Sequence, residues 1–306
     1  MKGRMPLWMQ GRHWVVGLPY AWLIAFFLLP FLILFKISVS EMETVHFKDV
    51  LSYTDGVLHI KIKLGNYLAL AGDDLYVKTY LASLRYAAIT TLICLGLGYP
   101  FAYFMARARA EIQPVLLMLV MLPFWTSFLL RVYAWKGLLA EHGWVHELVM
   151  ASGLGPMLWW SGAIEEPGQL MNSPFSLVIG MVYTYLPFMV LPLYSHLSKM
   201  DLRLLEAAAD LGAKPWTVFR TITIPLSKPG IVAGSMLVFI PCVGEFVIPE
   251  LLGGPRTMMI GRVLWDEFFS NNDWPMAAAV AVVMVLLVIV PLALFSRTQN
   301  SPGAHP

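Results

Sequence analysis

The sequence predicts an all-α integral membrane protein with six transmembrane helices and both termini on the cytoplasmic side. Three observations carry this. Of 306 residues, 58% are hydrophobic and 13% charged, with a mean hydropathy of +0.68. A soluble domain carries about 25% charged residues, because its surface must meet water. Six apolar runs punctuate the chain, each of about 20 residues, the length that crosses ~30 Å of hydrocarbon. Basic residues are denser in the shorter segments between those runs, which marks them as the inner ones.

The first run extends roughly from Gly17 to Ser38. Lys2, Arg4 and Arg12 precede it, but it is too long for a secretory signal core and no small-residue cleavage site follows, so an uncleaved helix is expected. Trp8 and Trp14 suit interfacial anchoring. The second run covers Ser83 to Ala106, the third Pro114 to Trp135, the fourth Phe175 to Leu197, the fifth Gly230 to Leu252 and the sixth Pro275 to Phe295. With the N-terminus inside, the inner segments hold Lys2, Arg4, Arg12, Arg107, Arg109, Lys199, Arg203, Lys214, Arg220, Lys228 and Arg297. The outer segments are longer and hold the remaining basic residues.

Two outer segments, about 39 to 82 and about 136 to 174, exceed plain connectors. The first contains a turn signal, Thr54-Asp55-Gly56, followed by an alternating stretch from Leu58 to Leu64 that reads as a short strand. The second carries Glu141, Glu147, Glu165 and Glu166, either a docking surface or a solvated face. A formal net charge of +2 offers nucleic acid no basic patch. Cys94 and Cys242 lie inside apolar runs and read as packing residues. His142 and His146 are spaced i, i+4, but no third metal ligand accompanies them.

The inner loop over 198–228 reads as helix, turn, helix. Asp201 is placed to cap the N-terminus, and Leu202 to Leu211 are strong helix formers. Gly212 sits where a C′ glycine belongs, Pro215 suits the first turn of the next helix, and Pro225 is expected to close it. Leu204, Ala207, Ala208 and Leu211 form one stripe, small enough to admit a second backbone. Such a helix either docks into a protein or lies on lipid, and the lipid reading wants more basic residues than Arg203 alone.

The loop also carries a spaced pattern: Glu206-Ala207-Ala208, three residues, Gly212, nine residues, Ile222, one residue, Ile224-Pro225. This resembles the EAA loop of ABC importer permeases, departing only in Ile224 where Leu is usual. Nearly the whole chain resembles the inner-membrane permeases of the spermidine/putrescine type, most of all those for putrescine. Phe124 to Leu129, Arg131 to Trp135 and Val243 to Gly254 carry that wider likeness. The resemblance implies the type I ABC importer permease fold as a single domain over 1–306, in the bacterial inner membrane and surrounded by its lipid. It implies a second, similar permease completing the pathway, two ATP-binding subunits below, and a periplasmic binding protein delivering substrate. Glu206, Ala207, Ala208 and Gly212 would form the coupling helix against an ATPase. No Gly-x-x-x-x-Gly-Lys-Ser/Thr loop occurs, so ATP and Mg are expected on the partner subunits and no cofactor on this chain.

A polyamine pathway needs carboxylates for ammonium groups and aromatic faces for cation–π contact. Glu245, in the fifth run, is the leading candidate, because an ionisable group in a span usually faces a cavity or a partner. The alternative for Glu245 is an ion pair with Arg131 or Arg85. Glu250 is a lesser candidate, about 140° away on an ideal helix, although Pro241, Gly244 and Pro249 interrupt that helix. Trp125 and Tyr185 are the aromatic candidates, with Tyr183 and Phe188 beside Tyr185. Three other readings compete. An ion-driven carrier would want midplane charges and an inverted repeat. A membrane enzyme would want a nucleophile–base cluster. A permease for another solute would share the EAA loop.

Overall fold

The structure, a computed structural model, describes residues 7–43, 46–47, 51–54, 57–60 and 63–299. The expected turn residues Asp55 and Gly56, and the Trp8 and Trp14 side chains, lie outside the described residues. By internal contacts the chain forms two compact units, residues 1–73 with 264–286, and 74–263 with 287–306.

The first unit opens with α1 (Leu7–Leu23), a π-helical turn (Ile24–Leu28) and α2 (Leu29–Ser38), a continuous helix that is strongly apolar from Val15 on. None of the most apolar stretch of its span Val15–Ser38 is buried, although Leu34 and Ile37 share a pocket with Phe268 and Trp274 of the same unit. The π turn has a local cause. Pro30 lacks an amide hydrogen and its ring crowds the carbonyl four residues back, and the wider turn relieves both. Two short antiparallel pairs follow: β1 (Met42–Glu43) with β2 (His46–Phe47), and β3 (Leu51–Thr54) with β4 (Val57–Ile60). Of the strand expected from Leu58 to Leu64, residues 58–60 lie in β4, residues 61–62 are outside the described residues, and Leu64 caps the next helix instead. Then α3 (Gly65–Gly72) fastens to the end of α2: the Tyr67 hydroxyl lies 2.6 Å from Ser38 Oγ, and Asn66 Nδ2 donates to the Ser38 carbonyl at 3.1 Å.

The second unit is built on three long helices, α4 (Asp74–Arg107), α9 (Pro174–Leu197) and α12 (Ile224–Val243). Their contact is a seam of small residues against methionine. A Cβ on Gly98 of α4 would sit 3.0 Å from Met189 Cγ, and one on Gly234 of α12 would sit 2.8 Å from Met189 Sδ. The two glycines thus seat one buried α9 side chain between backbones that approach closely, as small residues do in membrane bundles. Polar cross-links reinforce the seam. Tyr99 on α4 meets Ser227 on α12 at 2.9 Å, and Tyr194 on α9 donates to Gln113 at 2.9 Å, whose amide caps the Ala108 carbonyl past α4.

Two expected spans are broken. The third is α5 (Gln113–Met121) with a 3₁₀ turn (Leu122–Trp125), then α6 (Phe128–Leu139), bent by 87°. Pro123 supplies no amide, Thr126 Oγ1 bonds the Pro123 carbonyl at 2.8 Å, and Thr126 and Ser127 are extended, so the ladder stops there. The fifth span runs as α12 only to Val243, breaks over Gly244-Glu245-Phe246 and resumes as α13 (Val247–Leu252). Between α6 and α9 the chain folds as α7 (Trp144–Ala151) and α8 (Leu154–Trp160) around Leu139, Ile164 and Leu170. A Ser173–Ser176 capping box starts α9. After α10 (Arg203–Asp210) and α11 (Pro215–Val218), a second π turn (Phe219–Thr223) leads into α12. Pro225 therefore does not end the loop helix, as expected from sequence; the π turn absorbs it and Pro215–Val243 is one helix. A 3₁₀ turn (Pro255–Thr257), α14 (Ile260–Trp265) and a π turn (Asp266–Ser270) lead to α15 (Trp274–Gln299), which contains the sixth expected span.

Among the described residues, Val15–Ser38, Asp74–Arg107, Pro174–Leu197 and Pro215–Val243 are long and apolar enough to cross a membrane, the α5–α6 pair reaches that length only across its 87° bend, as a broken span or a re-entrant loop, and α15 is apolar over Trp274–Ile289.

Candidate functional site

Two places stand out: the exposed loop holding α10, and a cavity at the two helix breaks. In the loop the N-cap of α10 is Leu202, one residue after the Asp201 expected there; Asp201 Oδ1 instead accepts from the amide of Arg203, the first residue of the helix, at 3.0 Å. At the other end Gly212 has φ +79°, a left-handed conformation costly for any side chain with a Cβ. Its amide donates to the Ala209 carbonyl at 2.9 Å, and the next amide, of Ala213, donates to Ala208 at 3.0 Å. That crossed pair is a Schellman motif, which sets the turn angle through backbone geometry alone. Pro215 then starts the next helix. No residue of α10 is buried, and Leu211 is 89% exposed. Glu206, Ala207, Ala208 and Gly212 thus lie on one short, rigidly capped, uncovered helix and its turn.

The cavity, about 540 Å³, is lined by Phe124, Phe128, Arg131, Thr184, Tyr185, Phe188, Pro241, Gly244, Glu245, Phe246 and Val247. The two breaks create it, for irregular backbone at membrane depth is tolerated where it lines a cavity or is buried in protein. Glu245 is buried. Its Oε1 accepts from the amides of Val247 at 3.1 Å and Ile248 at 3.4 Å, capping the free N-terminus of α13. Its Oε2 accepts a hydrogen bond from the Tyr185 hydroxyl. The carboxylate is held by neutral donors, and it forms no ion pair with Arg131 or Arg85. Arg131 instead sits against rings, its Cζ 5.5 Å from the centroid of Phe124 and 5.9 Å from that of Phe128. A larger apolar wall continues from here: Phe124 meets Phe188 edge-on at 5.0 Å.

Of the four sequence candidates for the pathway, the cavity unites Glu245 and Tyr185. Glu250 is elsewhere, on α13, with its Oε2 2.7 Å from Arg262 Nε in a partly exposed ion pair. Trp125 is 73% exposed at the end of the 3₁₀ turn and outside the lining; its neighbour Phe124 points in. Phe124, Phe128 and Arg131 were visible in sequence as part of the family likeness, but only the 87° bend turns them toward Glu245. Of the four acids noted between the third and fourth runs, Glu165 lies 3.8 Å from Arg256, an ion pair of the unit itself.

Residues 93–295 match the family profile of the binding-protein-dependent transport system inner membrane component. The chain belongs to this family. Such a component is a multi-pass transport subunit of the inner membrane, not an enzyme. Among its relatives is the spermidine/putrescine transport system permease protein PotB of Salmonella typhimurium, 39% identical over 279 residues, 91% of this chain and 90% of that one. The protein of the same name from Escherichia coli is 38% identical over 279 residues, 91% of this chain and 94% of that one. A crystal structure of a bacterial ABC transporter for import of the acidic polysaccharide alginate superposes with a TM-score of 0.62, at 16% identity, over 96% of this chain and 99% of that one. The fold is thus the type I ABC importer permease fold expected from the EAA loop, and the 87° bend and the α12–α13 break are how this member of the family builds its interior.

Proposed function

We propose that the chain is a permease subunit of an ATP-driven polyamine importer, with both termini cytoplasmic. The likeness to spermidine/putrescine permeases over 91% of the chain carries this reading. The cavity chemistry supports it. A polyamine is a chain of ammonium groups joined by methylenes, and Glu245 beside Tyr185, Phe124 and Phe188 offers a carboxylate for the charge and ring faces for both parts. A second, homologous permease supplies the other wall of the pathway. Two ATP-binding subunits carry ATP and Mg, and a periplasmic binding protein delivers the amine.

Coupling runs through residues 198–228 of this one permease domain. Glu206, Ala207 and Ala208 present a small-residue face to an ATPase groove, and the Gly212 turn fixes the direction in which the following helix leaves. Closure of the ATPases on nucleotide moves that helix, and the bundle exchanges inward-open for outward-open; each ligand shifts the balance by its differential affinity for the two states.

The test is uptake of labelled putrescine and spermidine by cells carrying the chain with its neighbouring transport genes, with and without a protonophore at maintained ATP. Saturable uptake that survives collapse of the gradient is expected. Uptake abolished by the protonophore at unchanged ATP would replace this reading with an ion-driven carrier.

A further inference from the structure

Arg131 is a cation on the wall of a cavity assigned above to cations. Its Nε and Nη1 are shielded from solvent and bond nothing. Donors of a charged group left so cost far more than neutral ones, and ring contact with Phe124 and Phe128 offsets only part of that. The arrangement is therefore not complete in this conformation. An amine substrate brings no acceptor that would complete it. The cavity lining holds one carboxylate, Glu245, which is here occupied by the Val247 and Ile248 amides and the Tyr185 hydroxyl. All three of those donors stand on segments next to a helix break or across from it, where a change of state can withdraw them.

We infer that Arg131 is a tethered competitor of the substrate, built to take Glu245 and so expel the amine. The inference rests on the polyamine reading. The guanidinium already occupies the faces of Phe124 and Phe128 that an alkylammonium would use. When the bundle changes state and α13 and Tyr185 release Glu245, the guanidinium binds the carboxylate in a two-pronged geometry that a primary ammonium cannot match. With Arg131 present the cavity carries no net charge beyond one Glu and one Arg, so it holds a polycation weakly enough to let it leave, as conduction requires. Without Arg131, Glu245 in a low-dielectric wall becomes a trap. Arg131 is thus a specificity and release residue, acting through Glu245.

The experiment uses the whole complex, with its partner permease and ATPases, in lipid nanodiscs without binding protein. Equilibrium binding of labelled putrescine is measured for the unmutated complex, R131Q and R131K, followed by uptake into proteoliposomes with binding protein added. R131Q is expected to bind about tenfold more tightly, equivalent to ~1.4 kcal/mol, and to import more slowly; R131K, which keeps the charge but loses the two-pronged geometry, is expected to bind with an affinity between those of R131Q and the unmutated complex. If R131Q does not assemble, R131M carries the same test, since a thioether suits the aromatic cradle. An assembled charge-removed variant that binds no more tightly, while the unmutated complex imports putrescine, overturns the competitor role and leaves the polyamine reading intact. An unmutated complex that neither binds nor imports putrescine overturns both.

Discussion

Tyr185 on α9 donates its phenolic hydroxyl to Glu245 at the α12–α13 break, joining two helices through a buried carboxylate that also caps a third. Breaking this relationship should have two separable effects. Y185F removes one donor from a buried charge, a loss of about 1–3 kcal/mol, and should lower the melting temperature of the purified complex while leaving some amine import. E245Q keeps a capping oxygen for Val247 and Ile248 but loses the charge. It should assemble normally and import putrescine poorly. Gel filtration with uptake distinguishes these outcomes, and an E245Q complex that imports at the unmutated rate removes Glu245 from the pathway.

Gly212 should not tolerate a β-branched residue. Its φ of +79° and the Schellman bonds of Gly212 and Ala213 fix the loop, and a Val there costs about 1–2 kcal/mol of backbone strain. G212V is expected to insert in the membrane yet lose substrate-stimulated ATP hydrolysis and transport together. G212N, which enters the left-handed region more readily, should retain more of both. Normal transport and normal stimulation in G212V would sink the coupling role of this turn.

The Gly98–Met189–Gly234 seam should be sensitive to added volume. A Cβ on Gly234 would lie 2.8 Å from Met189 Sδ and 3.0 Å from the Met189 carbonyl oxygen. G234V is expected to destabilise by about 1–3 kcal/mol through overpacking, read as reduced yield of assembled complex. M189A should restore part of that yield in the double variant, because only the side-chain half of the clash is relieved.

The Glu250–Arg262 pair should matter little. Its groups are 53% and 29% exposed, respectively, and such pairs contribute about 0–1 kcal/mol. E250Q should import putrescine within about twofold of the unmutated protein, a change of ~0.4 kcal/mol. A loss as deep as that of E245Q would put Glu250 back on the pathway.

Continuous helices were readable from hydropathy; their breaks were not. The fourth span, expected from Phe175 to Leu197, is helix α9 over Pro174–Leu197, because one apolar run between a serine cap and a polar loop has little else to become. The third run is equally apolar, yet Thr126 and Ser127 are extended. Pro123 marked the risk, but hydropathy is blind to a bend. The same bend decides that Phe124, not Trp125, enters the cavity. Glu245 was legible as an unusual charge. Its partners were not, since they are two backbone amides created by the break itself and a phenol 60 residues away. In the loop Gly212 and Pro215 stand where their chemistry put them, and the cap fell one residue after Asp201. Pro225 misled because a π turn can swallow a proline.

That π turn makes Pro215–Val243 a single rod of 29 residues, about 43 Å long at ~1.5 Å per residue. One end carries the exposed turn after Gly212, and the other stops at the residue before Gly244-Glu245. A tilt of about 5° around one tip would swing the other by roughly 4 Å over such a length. Under the proposed coupling such a rod acts as a crank, in which a small rotation at the loop becomes a displacement larger than a hydrogen bond at the buried carboxylate.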